Sequence, residues 1–70
     1  MLAFERDTQK ILDNVPAEEW FSIDDIRSYL HVGWSGSNLA ALLDDLVDQN
    51  RMICRWDHMS NQMVYMIKSE

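Results

Sequence analysis

This sequence predicts an α+β fold in which three helices are followed by a C-terminal β-hairpin. Three observations predict it. Apolar residues recur at helical spacing in three successive stretches. Residues suited to starting or stopping helices stand between those stretches. Two short runs near the C-terminus, 52–56 and 63–68, flank a polar, turn-rich stretch, the pattern of a hairpin.

Helix one is expected over residues 4–14, where Phe4, Thr8, Ile11 and Leu12 form one stripe that Val15 continues. Pro16 stops it, because the residue before a proline is pushed out of the α region. Residues 17–21 are too short for a helix, and Trp20 and Phe21 suit a brief extended segment that turns its aromatics to the core. Ser22 and Asp25 then form an S-x-x-D arrangement, a relative of the capping box, with Asp24 and Asp25 placed well against the helix dipole. The second helix carries Ile23, Ile26, Tyr29 and Leu30 on one face and ends within 31–33.

Ser35 is the candidate cap of helix three, expected over 36–49, with Leu39, Leu42, Leu43, Leu46 and Val47 as the strongest periodic signal. Asn50 suits the left-handed position just past a helix end. The two strands follow, joined by a loop over 57–62 that is longer than the tight turns of most hairpins. On the first strand, Cys54 alternates with Met52 and Trp56 and is expected to be a buried small apolar residue.

This element order resembles a winged helix-turn-helix domain. Residues 22–30 look like the family's second helix, opened by a capped serine or threonine. Residues 43–53 resemble the end of its third helix, where leucine, two polar residues and leucine run through an asparagine into the first wing strand. The resemblance implies a three-helix fold with a C-terminal hairpin wing and a DNA-binding transcriptional regulator. Helix three would enter the major groove, and the wing would touch phosphates or the minor groove. By position, Ser35, Ser37, Asn38 and Ala41 would face the groove, while Arg55, His58 and Asn61 would sit in or beside the wing. Asn suits a bidentate contact to adenine, and Ser reaches bases or phosphates.

Composition bounds the rest. At 70 residues the chain has room for one domain, read as 1–70, and its 47% apolar content excludes disorder. Twelve acidic residues against six basic ones give a net charge of −6, which excludes a strongly basic nucleic-acid clamp. The charge is unevenly spread. Residues 31–50 contain no Arg or Lys, and the turn before helix three, with Gly33, Trp34 and Gly36, is about two residues longer than the family's. Asp44, Asp45 and Asp48 share the outer face of helix three, while Arg51, Arg55 and Lys68 lie on or around the hairpin, where they can neutralise phosphates. The trio is read first as a solvated face partly balanced by Arg51, and next as a face that repels DNA or attracts a basic partner; divalent-metal catalysis ranks last, since no further ligand is placed to complete a site.

Two functions follow as expectations. The leading one is DNA regulation through the start of helix three and the wing. The alternative is an acidic interaction module (an anti-repressor, adaptor or small inhibitor) that binds a basic or apolar protein through Trp34, Asp44, Asp45 and Asp48. Trp34 is expected to be exposed and to anchor such an interface; Trp20 is assigned to the core. Met59 is expected to be exposed, Met52 and Met63 to fill core, and a homodimer is possible for so aromatic and Met-rich a chain.

No enzyme is expected: nucleophile motifs, phosphate loops and paired catalytic carboxylates are missing. No cofactor is expected either. Cys54 with His31 or His58 lacks further ligands at metal spacing. One cysteine, no apolar run of membrane length and a charged N-terminal stretch suggest a cytoplasmic protein.

Overall fold

The computed structural model describes residues 3–69, with side chains from Glu5 onward. Its elements are α1 (Ala3–Asn14), β1 (Phe21–Ser22), α2 (Ile23–Leu30), α3 (Gly36–Asp48), β2 (Met52–Asp57) and β3 (Gln62–Ile67). The protein is thus α+β, with three helices and an antiparallel three-stranded sheet in the order β1-β3-β2. Helix and strand bounds agree with the sequence expectation to within a residue or two.

Local chemistry explains the boundaries. The Asp25 N–H donates to Ser22 Oγ at 3.1 Å and the Ser22 N–H donates to Asp25 Oδ2 at 3.3 Å, so α2 opens on a full capping box. Ser35 caps α3 by accepting from the Asn38 N–H at 3.1 Å. At the end of α2, His31 rather than Gly33 takes the left-handed conformation, at φ 55°. Asn50 does the same after α3 at φ 62°, while the Arg51 N–H donates to the Leu46 carbonyl at 2.9 Å.

The core lies between the helices and one face of the sheet. Ile11, Val15, Ile26, Leu30, Leu39, Leu42, Leu43 and Leu46 from the helical side meet Met52, Tyr65 and Ile67 from the sheet. Phe4 belongs to α1, but its expected place in the stripe falls on a side chain outside those described. Thr8, also in that stripe, is buried and donates its hydroxyl to the Glu5 carbonyl at 2.9 Å.

The pleat assigns the remaining sheet residues. Phe21, Tyr65 and Cys54 share one row across the sheet; Ser22, Val64 and Arg55 share the next and point to the other face. That outer face has a small cluster of its own. Val64 is buried yet separate from the main core, and the Arg55 guanidinium lies 4.3 Å from the Trp20 ring centroid.

Three sequence expectations are corrected here, those for Cys54, Trp20 and Trp34. Cys54 is exposed, and Trp56 is 46% exposed. Both point to the helix side with Met52, but β2 is an edge strand and only its Met52 end is covered. Trp20 leaves the core for the outer face, because one step before Phe21 in a pleated strand reverses the side chain. Tyr29 is 49% exposed, held against Phe21 with ring centroids 6.0 Å apart. Trp34, by contrast, is half-buried and packs against the core.

The hairpin loop is shorter than expected, because Asp57 and Gln62 pair as the last rung of the ladder. The Asp57 carboxylate accepts from the Met59 N–H at 3.1 Å and from the Ser60 hydroxyl at 2.6 Å, and Asn61 closes the turn at φ 58°. The Ser60 hydroxyl and then the Met59 N–H stabilise this carboxylate, which lowers its pKa.

Tyr65 supplies a pH-dependent element of stability. Burial of its phenol, with Asp44 and then Cys54 adding negative charge, raises its pKa above the ordinary 10.0. The fold therefore favours the neutral phenol. Its contribution is complete below about pH 10 and is lost as pH rises through the higher folded-state value. Tyr65→Phe is expected to flatten the alkaline limb of a stability-against-pH curve; an unchanged slope above pH ~10 would remove Tyr65 as its source.

Candidate interaction surface

The surface opposite the core on α3 is made by residues four, three and four apart: Ser37, Ala41, Asp44 and Asp48, all exposed. Helical spacing alone places them in one stripe, since Leu39, Leu42, Leu43 and Leu46 occupy the buried side. Ser35 and Asn38 are also exposed at the helix start, though Ser35 Oγ is engaged as the cap. Asp45 is half-buried and accepts from Gln49 Nε2, so the trio divides into one hydrogen-bonded carboxylate and two open ones.

Beside this stripe, Trp34, Asn38, Ala41 and Leu42 join Asp7 of α1 to line a groove of about 220 Å³. This is below the ~300–1,000 Å³ of small-molecule sites and suits a single side chain. Trp34, Asn38 and Ala41, assigned to two different roles in the sequence reading, are thus brought together. Asp7 and Leu42 were missed there. Asp7 lies on the α1 face next to the Thr8–Ile11 stripe, but no spacing rule relates it to residues twenty-seven or more positions away.

Four of the six cations lie elsewhere. Arg27 Nη2 is 2.7 Å from Asp24 Oδ1, the one ion pair among the described residues. Arg51 and Lys68 stand together at the root of the hairpin, with Leu12, Asn50 and Ser69, and Lys68 Nζ donates to Asn50 Oδ1 at 2.7 Å. Arg51 therefore does not pair with the acidic trio. Arg55 lies over Trp20 on the outer sheet face. His58, Met59, Ser60 and Asn61 at the hairpin tip are exposed and include no Arg or Lys.

The eight residues assigned to DNA are consequently divided among four places. Ser35, Ser37, Asn38 and Ala41 share the start of α3, His58 and Asn61 share the tip, and Arg55 and Lys68 belong to the sheet face and the hairpin root. Among the described residues, no group of three or more His, Cys, Asp or Glu is arranged to hold a metal ion. None of the described helices is long and apolar enough to cross a membrane. Comparisons with protein-family models, curated proteins and solved structures gave no match for this chain.

Proposed function

We propose that the protein is a winged-helix domain acting as an acidic protein-interaction module, which takes a basic segment of a partner on α3 and in the Trp34 groove. The element order and the antiparallel hairpin at the C-terminus support the winged-helix reading. One observation carries the choice of partner. The exposed stripe of α3 bears Asp44 and Asp48 and no cation, and the adjacent groove pairs an aromatic ring with the Asp7 carboxylate. A Lys or Arg side chain satisfies both, through charge and through contact with the ring face. Nearby phosphates would meet the same carboxylates as like charges.

DNA regulation remains the second reading, favoured by a specific feature. The first turn of α3 holds Ser37 and Asn38 exposed and contains no acidic residue. In that reading the wing cations, or a second subunit, supply the phosphate contacts.

Parallel titrations at low and moderate salt separate the two, one with an arginine-rich peptide and one with random duplex DNA. The peptide is expected to bind and to change Trp fluorescence. Asp44→Lys with Asp48→Lys is expected to weaken it about tenfold more than Glu5→Lys with Glu19→Lys, which changes net charge equally. Equal losses in both pairs would reduce the peptide result to net charge and overturn the α3 assignment. Duplex binding at low salt with a slope that flattens in Arg55→Ala would establish the DNA reading instead.

A further inference from the structure

We infer that the cleft at the root of the hairpin binds a phosphate dianion, free or as a monoester, between the Arg51 guanidinium and the Lys68 ammonium. The site is separate from α3 and its groove, and it stands whichever partner α3 takes. Exposed Asn50, Arg51, Lys68 and Ser69 form its rim, and Leu12 and Ile67 its apolar floor, around a space of about 310 Å³. That volume is at the lower limit of the ~300–1,000 Å³ of small-ligand sites, enough for a phosphoryl group with a short organic part.

The end of α3 and the roots of both hairpin strands meet there, and hydrogen bonds fix them. Asn50 turns the chain at φ 62°, its N–H donating to the Val47 carbonyl at 2.9 Å. The Arg51 N–H donates to the Leu46 carbonyl at 2.9 Å, which ties the root of β2 to the helix end. The Lys68 N–H donates to the Arg51 carbonyl at 3.1 Å, so the two cationic residues stand side by side, just beyond the Met52↔Ile67 pair. Lys68 Nζ in turn donates to Asn50 Oδ1 at 2.7 Å. That bond holds the ammonium across the rim and leaves the amide Nδ2 as a further donor.

Charge and donors match one kind of ligand. The six lining residues include two cations and no carboxylate. Among the described residues neither Arg51 nor Lys68 forms an ion pair, the single one being Arg27 with Asp24. The Glu18 carboxylate is near, but it accepts from the Ser69 hydroxyl at 2.6 Å and does not line the cleft. Ser69 therefore has no hydroxyl proton to give a ligand.

The guanidinium fork fits two phosphate oxygens, and the ammonium acts as a point charge on a third. A phosphate monoester carries about −1.5 to −2 at pH 7, which two cations neutralise, whereas a carboxylate leaves one cation uncompensated. Leu12 is half-buried and Ile67 buried, so the floor offers little apolar contact and the phosphoryl group carries the recognition. The overall charge of −6 is unevenly spread. Residues 50–69 hold Arg51, Arg55 and Lys68 against Asp57 alone, a net +2, which leaves −8 on the rest of the chain.

The test is an NMR titration of amide shifts in the whole chain, with inorganic phosphate, glycerol 1-phosphate and acetate at matched, low ionic strength. Both phosphates are expected to shift the amides of 50, 51, 68 and 69 saturably, with a dissociation constant on the order of 1 mM, and acetate to bind about tenfold more weakly. Equal constants for the two phosphates assign the free dianion as sufficient; a tighter ester assigns the monoester. Arg51→Gln and Lys68→Gln are each expected to raise the constant about tenfold, while Arg55→Gln, which removes the same charge from the outer sheet face, changes it less than about twofold. Both rim side chains are exposed, and if one variant unfolds the other decides. Asn50→Gly removes the amide and keeps a left-handed position that glycine favours; it is expected to raise the constant about threefold. No saturation by ~20 mM phosphate, an equal response to acetate, shifts centred on other residues, or equal losses in the rim variants and Arg55→Gln would each overturn the site.

Discussion

Leu43→Ala is expected to lower the unfolding free energy by about 3 kcal/mol, the largest single effect among the substitutions considered. Leu43 is 0% exposed and sits where α3 meets both other helices and the sheet, in the cluster with Ile11, Ile26, Met52 and Tyr65. Truncation there removes three methyl or methylene-type carbons from full burial and leaves a void that surrounding backbone cannot close. The stability of a chain this size is on the order of 3–10 kcal/mol, so the loss is a large part of the whole. At ~4–8 °C per kcal/mol the melting temperature should fall by ~12–24 °C. Val47→Ala, on the half-buried flank of the same helix, is expected to cost only about 1 kcal/mol. Equal losses at the two positions, measured by urea unfolding, would contradict the core described for α3.

Ser22→Ala is expected to cost about 1–2 kcal/mol, more than most cap removals. Ser22 is 3% exposed and does two jobs: it pairs with Val64 at the sheet edge and accepts from the Asp25 N–H at the start of α2. Loss of the hydroxyl leaves that N–H without its acceptor in a part-buried place, which adds a desolvation cost to the lost bond. Asp25→Ala removes only the weaker 3.3 Å reciprocal contact and is expected to cost less than Ser22→Ala. Hydrogen exchange at the Asp25 amide, faster in Ser22→Ala than in Asp25→Ala, is the measurement that checks this order. The reverse order would mean that the dipole interaction of the carboxylate, rather than the hydroxyl cap, holds the helix start.

Much of the architecture is local and therefore legible in the chain. The caps at Ser22 and Ser35, the left-handed Asn50 and the leucine stripe of α3 are each set by residues within a few positions of one another. So is the outward stripe of Ser37, Ala41, Asp44 and Asp48, since the buried leucines leave those positions no other side of the helix. The candidate groove was only half legible. Trp34, Asn38 and Ala41 are close in sequence, but Asp7 reaches them only because α1 packs against α3.

Strand residues show the limit most clearly. Alternation alone correctly put Cys54 and Trp56 on the same side as Met52, yet burial did not follow. A pleat assigns a side chain to a face; whether anything covers that face depends on strand order. Because β3, not β2, occupies the centre of the sheet, Val64 and Tyr65 are buried while Cys54 and Trp56 remain open. Trp20 lies on the outer face for the same reason that Phe21 packs inward: one residue reverses the side.

From the chain alone, then, came the α+β class, the helix starts and stops, and the acidic outer stripe of α3, because each depends on hydrogen bonds and periodicities a few residues long. Which aromatics are covered, where Arg51, Arg55 and Lys68 stand relative to that stripe, and which strand lies at the edge of the sheet were decided by packing. Those properties depend on contacts between residues far apart in the chain, which no local spacing encodes.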